Sequence, residues 1–200
     1  MADRAMNHRH FVALSLLAAV PLNACSSPPE KAPLAGASIG GPFSLINQDG
    51  RVTSDRDFAG MYRIVYFGYT YCPDVCPVDV QNLAAALKLV ERRDPALGAR
   101  IVPIFVTVDP ARDTPPVLKQ FVGAFHPRMV GLTGTPEQIA AVAKAYAIFY
   151  RAQPPAAGGA YIVDHSRQAY LFGPDGKPIA LLSQDGKPEL IADEIERWAR

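Results

Sequence analysis

Apolar positions along this chain switch between two periods, and the switches mark out its elements. Residues 64–69 and 101–108 are short runs of β-branched and aromatic residues, which predicts two strands buried on both faces. Leu83, Leu87 and Val90 recur at helical spacing and predict a helix that stops near Asp94-Pro95. Thr114 with Pro115 opens a second helix whose stripe is Leu118, Phe121, Val122 and Phe125. Thr135-Pro136-Glu137-Gln138 carries a capping box ahead of Ile139, Val142, Ala143 and Tyr146. A hairpin is predicted over residues 43–52 around Gln48-Asp49-Gly50, and short strands over 130–132, 161–163, 169–172 and 179–182. Residues 153–160 read as a flexible loop and 188–199 as a closing helix. Strands alternating with helices, then a hairpin and a helix, give a mixed sheet covered on both faces.

The beginning of the chain follows different rules. Arg4 and Arg9 precede an apolar run over residues 11–22, which is shorter than the roughly 20 residues a spanning helix needs. That pattern predicts a secretory signal over residues 1–24, ending in a lipoprotein-like Leu22-Asn23-Ala24-Cys25 with lipid on the Cys25 thiol. Residues 25–38, rich in Pro, Ala and Ser, would form a tether, with one domain over 39–200. The expected location is the periplasmic face of a bacterial membrane, lipid-anchored or otherwise tethered.

Composition narrows the chemistry. The chain has 200 residues, 49% hydrophobic, with 20 Lys+Arg against 19 Asp+Glu, so an electrostatically driven nucleic-acid binder is excluded. Three cysteines are too few for a disulfide scaffold. Loss of the leader and lipidation of Cys25 would leave two free thiols, Cys72 and Cys76, and two histidines, His126 and His165.

Cys72-Pro73-Asp74-Val75-Cys76 joins a predicted strand to a predicted helix, at the sheet edge where α/β proteins bind ligands. Pro73 suits the first helical position, and a spacing of four puts both sulfurs on one side of a turn. The helix N-terminus should favour thiolates at both. A structural disulfide across so short a loop gains little, and thioredoxin-type redox pairs are separated by two residues, not three. A shared soft metal, with the Cys72–Cys76 disulfide as the oxidised form, fits best. Zinc would want a fourth protein ligand, so copper(I) is preferred. His126, before Pro127 at a helix end, reads as an ordinary surface histidine. On spacing alone His165 stands equally as third ligand and as a hydrogen-bonded loop residue. Gly158-Gly159 upstream predict a site that is open without metal and closes when His165 arrives. Asp74, Asp109 and Asp164 are candidate carboxylates for orienting the site, whereas Asp113 beside Thr114 reads as a cap or turn residue.

At these residues the chain resembles a known family. The carrying segments are Gly41-Pro42-Phe43, the stretch from Tyr66 through Pro77, the stretch from Val106 through Pro115, Gly131-Leu132-Thr133-Gly134-Thr135, and Val163-Asp164-His165-Ser166. Together, in this order, they resemble the SCO/SenC family of membrane-tethered copper proteins. The resemblance implies a thioredoxin-like three-layer α/β fold with a mixed central sheet and inserted β-hairpins. It also implies copper, one Cu(I) with Cu(II) as the alternative valence, on the residues matching Cys72, Cys76 and His165. The implied role is a chaperone, not an enzyme, that supplies the copper A site of cytochrome c oxidase subunit II. A copper donor protein and a thiol reductant are the further partners it implies. The competing role is a thiol–disulfide oxidoreductase acting on the target's cysteines. Many members carry a transmembrane anchor where this chain has Cys25.

Overall fold

The computed structural model describes residues 30–155 and 159–200. Its strands are β1 (Ser44–Asn47), β2 (Val52–Ser54), β3 (Tyr62–Gly68), β4 (Ile101–Thr107), β5 (Val130–Thr133), β6 (Tyr150–Ala152), β7 (Val163–His165), β8 (Ala169–Phe172) and β9 (Pro178–Leu182). Its helices are α1 (Val75–Arg93), α2 (Pro95–Ala99), α3 (Pro115–Phe125), α4 (Pro136–Ala145) and α5 (Pro188–Trp198). Seven strands form one sheet in the order β2-β1-β5-β4-β3-β8-β9. β3, β4 and β5 run parallel, and the flanking pairs are antiparallel.

Alternation along β3 assigns the two faces. Tyr66 stacks on Phe105, which meets Phe121 of α3 at a centroid distance of 4.9 Å. Phe67 points the other way, to Tyr146 just beyond α4 at 5.3 Å, and Tyr146 meets Phe172 at 5.3 Å. Each such side chain, fully buried, contributes about 1.5–3 kcal/mol. The predicted central strands therefore hold, because a strand covered on both faces shows as an unbroken apolar run. The capping box at Thr135 also holds, with Gln138 N–H on Thr135 Oγ1 at 3.3 Å and Thr135 N–H on Gln138 Oε1 at 2.8 Å.

Other boundaries differ from the sequence expectation. The first long helix begins at Val75 with Asp74 as its cap residue, so Pro73 and Cys72 precede it. Thr114 does precede α3, but its side chain makes no capping bond. The expected stop at Asp94-Pro95 does hold, since α1 ends at Arg93 with Asp94 as its C-cap; the addition is α2, which Asp94 opens by accepting from Leu97 N–H at 2.9 Å. The strand expected over 161–163 is displaced to Val163–His165 and stands outside the main sheet, paired with β6. β6 is half-exposed and lacks apolar alternation, so only its partner reveals it.

The compact unit containing the sheet runs from Lys31 to Arg200. Ordered packing thus begins inside the stretch expected as a tether: Leu34 N–H donates to Ile179 C=O at 2.9 Å, and Leu34 and Ile39 pack on the core. The expected signal and Cys25 lie outside the described residues. Among the described residues, no helix is long and apolar enough to cross a membrane.

Candidate metal centre

The carboxyl ends of β3 and β4 and the start of α1 meet at the two cysteines. Gly68 ends β3, and a Cβ there would fall 3.1 Å from Cys76 Sγ and 3.0–3.1 Å from the Tyr66 and Phe105 rings. Only glycine lets the thiol seat so close to the strand. Cys76 is wholly buried, whereas Cys72, held by Cys72 N–H to Tyr69 C=O at 3.2 Å, is half-buried. Both are free thiols. Cys76 N–H points at Cys72 Sγ at 3.5 Å.

His165 approaches from the β6–β7 ribbon. Its Nε2 lies 3.0 Å from Cys76 Sγ, and its Nδ1 lies 2.8 Å from Ser166 C=O. A carbonyl only accepts, so Nδ1 carries the proton and Nε2 turns its lone pair toward the sulfurs. Tyr66 and Tyr69 hold the imidazole edge-on at centroid distances of 6.4 and 5.9 Å. The two sulfurs and Nε2 all lie within 4.8 Å of one another, close enough to hold one metal ion. In the structure the imidazole stands against Cys76. Backbone pairing explains why, since β7 is tied to β6 and Ser166 N–H donates to Phe149 C=O at 2.9 Å. Residue 158 of the Gly158-Gly159 pair lies outside the described residues.

The two thiols have opposite electrostatics. Burial opposes ionisation of Cys72, but the backbone N–H groups of Cys76, Asp74 and Val75 outweigh it and lower its pKa. Burial dominates at Cys76 and pushes its thiol well up. The expected preference for thiolates at both positions thus fails for Cys76, which sits too deep in the core. Burial also holds the His165 pKa below the ordinary histidine value, so the ring is neutral at neutral pH and fit to ligate.

Three buried carboxylates brace this centre. Asp79, one helical turn after Cys76, accepts from Tyr66 Oη at 2.8 Å and from Arg167 Nε and Nη2 at 3.0 and 2.7 Å. Arg167 stands two residues beyond His165, so this pair ties the histidine segment to α1. Asp113 accepts from Thr70 N–H at 3.0 Å and from the Thr70 and Thr107 hydroxyls at 2.6 Å each, fixing the turn that leads to Cys72. It is fully buried, and burial raises its pKa; beyond the cap or turn residue expected beside Thr114, it is an anchor for the cysteine turn. Asp109 accepts from Tyr161 Oη at 2.8 Å and pairs with Arg112, whose guanidinium lies 3.6 Å over the Tyr161 ring.

The candidate carboxylates named from sequence therefore separate. Asp109 braces the approach to β7. Asp74 is exposed and caps α1 without a side-chain bond, and Asp164 turns away to Gln153 and Arg151. His126 is not at the surface: it is 2% exposed, far from the thiols in the fold, and contacts Glu91. Asp79, Tyr66 and Arg167 were missed. Asp79 had a signal, since it lies three residues after Cys76 and so shares its helix face; Arg167 had none.

The family model described as SCO1/SenC matches residues 31–200. Protein SenC of Rhodobacter capsulatus is 47% identical over 161 residues, which is 80% of this chain and 71% of that protein. The mitochondrial SCO1 homolog 1 of Arabidopsis thaliana is 37% identical over 86% of this chain, but this chain spans only 50% of its length. Among solved structures, Arabidopsis thaliana ScoI with copper bound superposes with a TM-score of 0.73 at 37% identity, covering 78% of this chain and 95% of that one. BsSco, described as a member of the Sco family of cytochrome c oxidase assembly proteins with a disulfide switch, gives 0.60 at 26% identity over 80% and 93%. The thioredoxin domain of a Bacteroides vulgatus thiol-disulfide oxidoreductase gives 0.57 at 16% identity over 82% and 96%, a likeness of fold alone. The fold is thioredoxin-like, and β1–β2 and β6–β7 are antiparallel pairs.

Proposed function

The chain belongs to the SCO1/SenC family, and from that premise we propose that it is a copper metallochaperone rather than an enzyme. Cys72, Cys76 and His165 hold one copper(I), and the protein delivers it to the copper A site of cytochrome c oxidase subunit II during assembly. The observation that carries this is the convergence of two sulfurs and a neutral imidazole nitrogen within 4.8 Å. Two soft thiolates select copper(I), and the imidazole completes a three-coordinate site without a fourth donor. Binding deprotonates the Cys76 thiol, and copper replaces that proton between Sγ and Nε2. Half-buried Cys72 is the face from which a recipient's sulfur enters.

In this account a copper donor protein loads the site and a thiol reductant keeps the cysteines reduced. The leader and Cys25 tether the domain to the periplasmic face of a bacterial membrane, and nucleic acid is not a partner. Oxidase activity in cells carrying His165→Ala tests the role. The account predicts loss of activity at low copper and recovery when copper is added. Normal oxidase assembly at low copper would overturn it.

A second function is favoured by the asymmetry of the thiols. Cys72, with its lowered pKa and partial exposure, attacks a disulfide of the target, breaking it, forming a mixed disulfide and releasing one target thiolate; Cys76 then displaces the second target thiolate from Cys72 Sγ and closes the Cys72–Cys76 disulfide. A reductase acting on the copper-site cysteines of the oxidase subunit would need this pair and not His165.

A further inference from the structure

β3 carries an unsatisfied group at the end away from the thiols. Arg63, the second residue of the strand, is 6% exposed, and its Nε meets no hydrogen-bond partner among the described residues. Of its three nitrogens, Nε is the one that is both buried and unpartnered among the described residues. Gly68 is five steps further along the strand, so at about 3.3 Å per residue the two backbone positions lie roughly 17 Å apart. A buried guanidinium without an anion is costly, and removing one partner of a buried pair is typically the destabilising event. The chain has nevertheless arranged itself around this one. Gly176, at φ +80°, lies against the guanidinium, and a Cβ there would fall 2.9 Å from Arg63 Nη2.

The space before Arg63 is a cavity of about 310 Å³, lined also by Arg56, Tyr146, Asp55, Asp175 and Gly176. That volume is at the lower end of the range for small-molecule sites. The two carboxylates are committed elsewhere: Asp55 Oδ1 accepts from Phe43 N–H at 3.2 Å, and Asp175 Oδ1 from Lys177 N–H at 3.1 Å with the Lys177 ammonium at 3.3 Å. Their negative charge disfavours a doubly charged phosphate in the same cavity. A single carboxylate carries one charge and matches the two-pronged donor face of arginine.

We infer that this cavity binds the carboxylate group of a small organic acid, with Arg63 as its principal donor. The site is separate from the copper centre and does not depend on the metal. Titration of the intact, reduced, isotope-labelled chain with acetate, followed by NMR at Arg63 Nε–H and the Gly176 amide, tests it. Both resonances should move to saturation, and in Arg63→Met the Gly176 response should disappear while copper retention stays unchanged. Phosphate and chloride at the same ionic strength should give at least about tenfold weaker responses, since a carboxylate-matched fork discriminates by geometry as well as charge. Because the wild-type titration reads Arg63 directly, the result does not depend on how well the variant folds. A linear response, an equal response to chloride or phosphate, or an unchanged Gly176 response in Arg63→Met would overturn the inference. None of those outcomes bears on copper binding.

Discussion

Cys72 lies in the turn between a fully buried central strand and a nineteen-residue helix and Cys76 in that helix's first turn, whereas His165 ends a three-residue strand paired to one short neighbour. The sulfur half of the centre is part of the core. The histidine half is a ribbon pinned to that core at a few places, through Arg167 on Asp79 and through the Asp109–Arg112–Tyr161 cluster. On the proposed function, a ligand pair seated against the core, with Cys76 buried and Cys72 half-buried, and a peripheral third ligand suit a protein that carries a metal and must also give it up. The core fixes the sulfurs, and the ribbon decides how tightly the third coordination position is held.

Removing the peripheral ligand should separate the halves most sharply. His165→Ala should weaken copper(I) retention by more than the roughly 10–100-fold that loss of an outer partner typically costs. Oxidation and re-reduction of the Cys72–Cys76 pair should survive, as thiol titration and mass spectrometry would show. Equal loss of copper binding and redox cycling would mean that the halves are not independent.

Loosening the pin comes next. Arg167→Met leaves Asp79 buried with only the Tyr66 hydroxyl, and should cost about 3–5 kcal/mol in denaturant unfolding. Asp79→Asn lets the half-exposed Arg167 turn to water and should cost about 1–3 kcal/mol. Both should lower copper affinity by about 10–100-fold without touching a ligand. A drop in stability with unchanged affinity would assign the pair to packing alone.

Within the sulfur half, the comparison is between the two thiols. Iodoacetamide at neutral pH should alkylate Cys72 at least about tenfold faster than Cys76, because thiolate fraction and access both favour it. Peptide mass spectrometry at short reaction times reads the ratio, and equal rates would contradict the buried position of Cys76.

The smallest effect is expected far from the centre, at His126. Burial lowers its pKa, while Glu91 pulls in the opposite direction. The unfolded chain therefore binds the proton first as pH falls through the ordinary histidine value near 6.5. This contribution to stability is present above that pH and is lost on acidification until the folded chain is protonated too. Urea midpoints should fall between about pH 7.5 and 5.5, and His126→Gln should reduce the drop. His165, also held low by burial, adds a dependence of the same sign.

Legibility in the sequence followed the same division. The core half announced itself: apolar runs gave β3 and β4, helical spacing gave α1, and the cysteine spacing gave the thiol pair. The ribbon did not. Tyr150, Arg151 and Ala152 have no pattern of their own, and β7 is recognisable only through its pairing with them. His165 was equally balanced on spacing because its partner sulfur lies 89 residues away, beyond the reach of any local rule. The family resemblance supplied what periodicity lacked. Asp113 and His126 were misjudged for one reason, since burial of a polar residue depends on distant neighbours that a local pattern does not reveal.

X-ray absorption at the copper edge, on the reduced chain loaded with one equivalent of copper(I), tests the central claim most directly. The account predicts a three-coordinate copper with two sulfur and one nitrogen neighbours, and loss of the nitrogen in His165→Ala. A wild-type spectrum with sulfur neighbours alone, or a nitrogen that persists in His165→Ala, would contradict it.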